Sequence, residues 1–451
     1  MADSCSDADI PGGARLLAPL RHLGALGFAL FWMLAASGIY LYIRFDTSAA
    51  GAYDSIGEME WWFGGVLRSL HRYAADAFVV VVAAHIVREL LGGRFRGFRA
   101  FSWISGVPLV WLLYASGIVG YWLVWDVRAQ FSAQATAEWF LALGIGAEPM
   151  ARNFLGAESI TDRLFSLFVF LHVGLPLALL AGMWVHVQRL GRPATVAPAA
   201  LGWGLAAALL LLAIAVPVAS EARWDPRAVP REFALDWFLL SPHPLMYATS
   251  GAMLWLLAGG LTFLLVALPF LAPRQVAPPA RVDAANCNAC GRCVADCPYE
   301  AVTLRNGKAL VIDDRCAACG ICAGACPSST PFRSVAELVS GIDLPDYTVQ
   351  TLRGRLQRTL PADEVVFRCE HAGDGDGIML RCLAMLPPSF VEYALRNGAR
   401  RVKAIGCAED GCEWRLGADL AAARFSGARE PHLRSNVRHR RHGNDHEFSL
   451  R

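Results

Sequence analysis

Two pairs of histidines set in apolar sequence constrain this chain more than any other feature. His71 and His85 lie 14 residues apart in one hydrophobic segment, and His172 and His186 lie 14 apart in another. In a helix, 14 residues make just under four turns, so both members of a pair share one face, about 21 Å apart. Two such helices face to face offer two His–His pairs stacked across a bilayer. That geometry suits two six-coordinate haems, each gripped by one imidazole from each helix. A single histidine in an apolar helix usually just bonds a neighbouring helix, but unpartnered imidazoles are costly in hydrocarbon, and four at equal spacing ask for a shared ligand. Bis-His ligation leaves the iron no open position, so such haems carry electrons and do not activate a substrate.

Glycines repeat the interval. Gly24 and Gly38 are 14 apart, as are Gly106 and Gly120. Glycine lets a flat macrocycle approach a helix backbone, although small residues also serve plain helix–helix packing.

Of the 451 residues, 55% are hydrophobic and 18% charged, and the apolar runs are long enough to cross a bilayer. Six spans are expected, at 23–43, 73–92, 105–125, 164–187, 200–219 and 246–271, with two amphipathic stretches, Ser55–Leu70 and Ala129–Leu143, lying in the interface. Residues 1–22 are polar and the first apolar run is already span-length, so no cleavable signal peptide is expected. The net charge of +2 gives no reason to expect a nucleic-acid partner. Arg94, Arg96 and Arg99 crowd one loop, Arg189 and Arg192 another, and Arg274 and Arg281 follow the last span. Asp46, Asp54, Glu58 and Glu60 lie between spans one and two. The positive-inside rule then puts both termini in the cytoplasm and the spans in the inner (cytoplasmic) membrane. On that topology His71 pairs with His172 near the outer face, and His85 with His186 near the cytoplasm.

The segment 15–271 resembles cytochrome b of the quinol-oxidising bc complexes. Arg68-Ser-Leu-His71 matches that family's Arg-x-x-His, His85-Ile-Val-Arg88 its His-x-x-Arg, and His172-Val-Gly-Leu-Pro176 its His-x-x-x-Pro. The resemblance implies that Arg68 and Arg88 contact haem propionates, and that the scaffold is a dimer. Leu235-Asp236-Trp237-Phe238 falls where the family has Pro-Glu-Trp-Tyr, bordering its outer quinol-oxidation site. With Asp in place of Glu, Leu of Pro and Phe of Tyr, that site is altered. Asp236 is the candidate quinone-site acid, and a solvated loop acid is the alternative.

Twelve of the 13 cysteines follow residue 286. Cys287-x2-Cys290-x2-Cys293-x3-Cys297-Pro and Cys316-x2-Cys319-x2-Cys322-x3-Cys326-Pro form the bacterial two-cluster ferredoxin pattern, in which each fourth cysteine serves the other cluster. Cys287, Cys290, Cys293 and Cys326 should hold one [4Fe–4S], and Cys316, Cys319, Cys322 and Cys297 the other; zinc is the rival. Cys369, Cys382 and Cys407 each directly follow a strand-like run, namely Val365–Arg368, Ile378–Arg381 and Val402–Ile405, and Cys412 completes a C-x4-C. Strand ends of a parallel sheet lie along one edge, where ligands bind. These four thiols point to a [2Fe–2S] cluster, zinc, or free buried thiols.

The stretch 363–417 resembles the delta subunit of methyl-viologen-reducing hydrogenases, through Val366-Phe-Arg-Cys369, Arg381-Cys382 and Gly406-Cys407-Ala-Glu-Asp-Gly-Cys412-Glu-Trp-Arg-Leu-Gly417. One cysteine of that family's early C-x-x-C is missing, its neighbourhood taken by His371 and Ala372. The resemblance implies a [2Fe–2S] cluster and a flavoprotein of heterodisulfide-reductase type as partner.

The expected architecture is a mainly α, cytochrome b-like bundle of six transmembrane helices, followed by a ferredoxin-like α+β two-cluster domain and a small α/β iron–sulfur domain. The boundaries are a cytoplasmic segment 1–22, a di-haem membrane domain 23–272, a linker 273–284, the ferredoxin domain 285–333, the delta-subunit-like domain 345–425 with a helix near Phe390–Asn397, and a disordered tail 430–451 whose His432, His439, His442 and His446 are solvated. The expected cofactors are two b haems, two [4Fe–4S] and one [2Fe–2S]. No glycine-rich dinucleotide loop appears, so a cytoplasmic flavoprotein or hydrogenase-type subunit supplies the two-electron chemistry. The function expected is electron transfer between that partner and quinone. Alternatives are bc-type quinol oxidation near Asp236, quinol-driven cytoplasmic reduction, and a non-catalytic membrane anchor.

Overall fold

The computed structural model describes residues 18–59, 61–144, 161–223, 236, 239–271, 277–407, 412–438 and 447–450. The chain divides into two compact units. One comprises Met1–Arg96, Ala100–Val187 and Ala194–Ala272; the other comprises Gly97–Arg99, Gln188–Pro193 and Pro273–Arg451.

The first unit is helical. Its long elements are α1 (Leu23–Arg44), α2 (Val66–Leu91), α3 (Ala100–Val124), α4 (Val127–Leu141), α5 (Asp162–Val187), α6 (Ala199–Ala215) and α7 (Gly251–Leu271). Helices are the natural answer for such sequence, because every backbone polar group is satisfied within the segment. Segments containing α1, α3, α5 and α7 are long and apolar enough to cross a membrane. Six spans are expected from the sequence. Of the remaining two, α6 is apolar but has 17 residues, and α2 carries Arg68, Arg72, Asp76, Arg88 and Glu89. The histidine helices each lie against a glycine helix, α2 on α1 and α5 on α3.

The expected interfacial helix Ser55–Leu70 is not continuous. A short helix, Ala52–Gly57, ends before the turn Trp61–Gly65, which runs directly into α2. Trp61, Trp62 and Phe63 remain exposed around that turn. The second amphipathic stretch is α4. Asp126 caps it by accepting from the Ala129 N–H at 2.9 Å, and Ala129, Ala133, Ala135, Ala137 and Trp139 are buried along one side.

The second unit begins with paired two-stranded ribbons, β1 (Arg281–Val282) with β4 (Ile342–Asp343) and β2 (Val302–Arg305) with β3 (Lys308–Val311). Its C-terminal part is a four-stranded parallel sheet in the order β6 (Ile378–Leu380), β5 (Ala362–Cys369), β7 (Ala399–Ile405), β8 (Glu447–Leu450). Helices α8 (Val349–Thr359), α9 (Pro388–Arg396) and α10 (Gly417–Ser426) accompany it. Val365, Phe367, Val402 and Ala404 alternate into a core shared with Leu352, Leu356, Phe390 and Phe425.

The tail is expected to be disordered, and this part of the expectation is corrected. Leu433 is fully buried, Phe448 meets Phe425 with ring centroids 5.2 Å apart, and β8 pairs with β7 from Arg401↔Glu447 to Ala404↔Leu450. Residues 439–446, with three of the tail histidines, lie outside the described residues; His432 pairs with Glu430 at 2.8 Å.

One ion pair ties the unit's parts together. Arg424 of α10, fully buried, donates to Asp296, the residue before Cys297. It also donates to the carbonyls of Ala384 and Ile321, and Arg429 joins it on Asp296.

Candidate functional site

The bundle brings the histidines together in two pairs. The His71 and His172 ring centroids are 6.2 Å apart, and those of His85 and His186 are 6.5 Å apart. Metal–imidazole bonds of about 2 Å on either side of one ion, plus half of each ring, give about 6 Å between two axial imidazoles.

Hydrogen bonding also orients the rings. The Ser37 hydroxyl donates to the Met33 carbonyl at 2.8 Å, leaving its oxygen to accept from His71 Nδ1 at 2.9 Å. Ser105 does the same, donating to the Ser102 carbonyl and accepting from His186 Nδ1 at 3.2 Å. The Ser116 carbonyl, which can only accept, lies 3.1 Å from His172 Nδ1. His172 therefore carries its proton on Nδ1 and keeps the Nε2 lone pair free, the state a metal ligand requires, and the Ser37 and Ser105 hydroxyls stand at Nδ1 of His71 and His186, where they can accept in the same way. His85 Nδ1 has no hydrogen-bond partner among the described residues. Pro176, one turn after His172 within α5, has no N–H for the His172 carbonyl.

Three of the four expected glycines touch these rings. A Cβ would lie 3.2 Å from His71 Cε1 at Gly38, 3.1 Å from His186 Cε1 at Gly106, and 2.9 Å from His172 Cε1 at Gly120. At Gly24 it would meet nothing within 4 Å. Arg68 donates to Ser220 Oγ at 2.8 Å, and Arg88 pairs with Glu89 at 2.7 Å.

Asp236 is buried and held on every side, so it is no solvated loop acid. Its carboxylate is bound by Arg72, accepts from Tyr121 Oη at 2.7 Å, and accepts from the Leu239 N–H. Arg72 also holds Asp76. Trp237 and Phe238 lie outside the described residues.

The ferredoxin-type cysteines sort into two sets. Cys287, Cys290, Cys293 and Cys326 line one small cavity. Cys322 feels Cys319, Cys316 and Cys297 most strongly, and Cys293 of the first set after them. Burial pushes the Cys293 thiol up to about 11, aided by Cys326 and Cys290, and raises Cys319 and Cys322 further. Buried thiols of this kind become thiolates only when cations share the space.

The last four cysteines gather at the C-terminal edge of the parallel sheet. Register places Cys369 opposite Leu380 and Arg368 opposite Ile405, which puts Cys382 and Cys407 each two residues beyond a neighbouring strand. Cys369 and Cys407 Sγ are 3.5 Å apart, while Cys382 and Cys412 flank Gly417. Protons are shared unequally. The hydrogen bond from Cys407 lowers Cys369 to about 7, and bonds from Cys382 and Cys407 lower Cys412, while Cys407 and Cys382 are raised as the donors. Among the described residues, no three His, Cys, Asp or Glu groups converge tightly enough for a single metal ion.

Three family models match the chain, in order along it. Residues 15–192 match cytochrome b/b6/petB, 286–330 a 4Fe-4S dicluster domain, and 367–443 the methyl-viologen-reducing hydrogenase delta subunit. Cytochrome b6 of Prochlorococcus marinus (strain MIT 9515) is 28% identical over 167 residues, covering 36% of this chain and 77% of the relative. Cytochrome b6 of Synechococcus sp. (strain WH7803) is 25% identical over 174 residues, covering 38% and 78%. Among solved structures, a "Hyperthermophilic respiratory Complex III" chain shares 22% identity at a TM-score of 0.44, covering 56% of this chain and 76% of that one. The protein is thus a multi-pass membrane bundle of cytochrome b homology, fused to iron–sulfur domains of electron transport.

Ser37, Ser105 and Ser116 escape a reading of the sequence alone, although Ser37-Gly38 and Ser105-Gly106 are adjacent pairs on the expected faces. Arg72 and Tyr121 escape it too, as their partner Asp236 lies far along the chain.

Proposed function

We propose that this protein moves electrons between a cytoplasmic redox partner, a flavoprotein or hydrogenase-type subunit, and the quinone pool. The observation that carries the reading is the pair of His–His separations, 6.2 and 6.5 Å, with Nε2 kept free on His172 and a serine hydroxyl at Nδ1 of His71 and of His186. His71 with His172 would hold the outer b haem and His85 with His186 the cytoplasmic one, with Gly38, Gly106 and Gly120 keeping side chains off the rings and Ser37 and Ser105 orienting them. Cys287, Cys290, Cys293 and Cys326 would hold one [4Fe–4S], Cys297, Cys316, Cys319 and Cys322 the other, and Cys369, Cys382, Cys407 and Cys412 a [2Fe–2S]. When bound, these groups supply one-electron transfer, and no other chemistry is required of them.

Both iron–sulfur domains and the chain termini are assigned to the cytoplasm of an inner-membrane protein, with a dimer as its working form. Asp236, clamped by Arg72 and Tyr121, serves better as an anchor beside the outer pair than as a free proton acceptor.

The test is a redox titration of the purified full chain. It should contain two b haems, two [4Fe–4S] and one [2Fe–2S] by haemochrome and paramagnetic resonance. Feeding reductant to the iron–sulfur domains should reduce the haems and a soluble quinone. Reduced iron–sulfur centres beside oxidised haems and unreacted quinone would end the proposal.

A further inference from the structure

The two ferredoxin-type cysteine loops have the same backbone and opposite surroundings. Ala289 and Ala318 both take left-handed φ, 58° and 55°, and Gly291 and Gly320 follow at 74° and 77°. In the second loop Ala318 and Cys319 are buried, and a Cβ on Gly320 would lie 2.7 Å from Met385 and 3.1 Å from Leu344. Cys319 joins the same core as Cys382 and Leu383. The second loop is thus covered by the C-terminal part of its own unit. The first loop is bare: Cys290, the counterpart of Cys319, is exposed, and a Cβ on Gly291 would meet only Leu304, at 3.7 Å. Since the two loops share one local geometry, the difference lies in what covers them.

The surroundings of the bare loop are those of a docking surface. Leu304, on the β2–β3 hairpin, lines the cavity with Cys290 and is 46% exposed. Exposed Arg305 follows it with no ion pair among the described residues, and Lys308, across the turn from Arg305, donates to the Ala284 and Cys287 carbonyls at 2.8 and 2.7 Å, which sets its ammonium at the loop. No carboxylate lines the cavity, and the nearby Asp283 is occupied by the Asn286 N–H and amide. An apolar centre with a cationic edge, small in area, is the pattern of a transient electron-transfer encounter.

We infer that the loop Asn288–Gly291 and the hairpin residues Leu304 and Arg305 form a docking surface for a small acidic one-electron carrier protein of the ferredoxin class. The inference rests on the function proposed above. In each encounter the carrier loses one electron and this protein gains one, or the reverse, with no bond made or broken and no proton moved. Cationic residues at the edge steer the acidic partner and make association sensitive to salt.

The probe is an acidic plant-type [2Fe–2S] ferredoxin, and the readout is its binding to the full-length holoprotein by biolayer interferometry. Arg305→Glu alone and the Leu304→Glu/Arg305→Glu double variant should each weaken binding, the double by on the order of tenfold, and salt should weaken wild-type binding similarly. Arg400→Glu, on β7, should change nothing. Iron content and resonance spectra should stay as in wild type. Equal binding by wild type and the double variant, equal loss in Arg400→Glu, or no binding at low salt overturns the docking surface and leaves the proposed function standing. Wild-type protein that lacks iron yet binds the ferredoxin overturns the proposed function instead, because the surface is read by binding alone.

Discussion

At the scale of single residues, chemistry was legible where a residue type has few uses. Histidine in apolar sequence and cysteine at two-residue intervals announce ligands, and the structure gathers both sets. What the sequence could not convey is which second group orients each ring, since Ser37, Ser105 and Ser116 act across helices. Ser37→Ala removes the hydroxyl that holds His71 by its Nδ1. Haem retention at that pair should fall about 10- to 100-fold, with a shifted midpoint potential in redox titration. Unchanged retention and potential would show the hydroxyl to be incidental. Glycines separate in the same way. Gly120→Val puts atoms where His172 stands, 2.9 Å from the new Cβ, and should lower total haem by about half in a haemochrome assay. Gly24→Ala enters open space and should leave haem content intact. If both variants lose haem alike, ring clearance is not what the glycines provide.

At the scale of elements, local pattern carried the strands and helices, and distant pairing escaped it. The runs Val365–Arg368 and Val402–Ile405 became β5 and β7 because alternating apolar residues need only a core to face. Strand β8 follows a run of Arg and His, and its place beside β7 depends on Phe448 finding Phe425. Phe448→Ala should loosen that edge, with amide exchange at Arg401–Ala404 faster by roughly tenfold, equivalent to about 1.4 kcal/mol, less than a fully buried Phe→Ala costs because Phe448 is half-buried. Exchange at β5 should hold. If the β7 amides exchange equally slowly in the variant, the β8 pairing contributes nothing. The broken stretch before α2 carries a related lesson. Trp61, Trp62 and Phe63 sit in the π-helical turn Trp61–Gly65 that opens α2, and the interruption falls ahead of them, after Gly57.

At the scale of the whole molecule, the histidine helices run the same way through a membrane only if α2 crosses it along with α1, α3 and α5. Alkaline phosphatase fused after Asp54 should be active, exported between α1 and α2, whereas fusions after Arg94 and after Arg192 should be inactive. Active enzyme at Arg94 would mean that α2 does not cross, and both pairs would need a different membrane placement.

The Asp296–Arg424 pair has a consequence for recombination. Each partner is 1% exposed, and one belongs to the ferredoxin-type part while the other belongs to α10 of the parallel-sheet part. A chimera that imports a foreign parallel-sheet module lacking this arginine, or a foreign ferredoxin module lacking this aspartate, confines a bare charge to the interior. The two parts can be exchanged between proteins together, or separately only if position 296 and position 424 change in step.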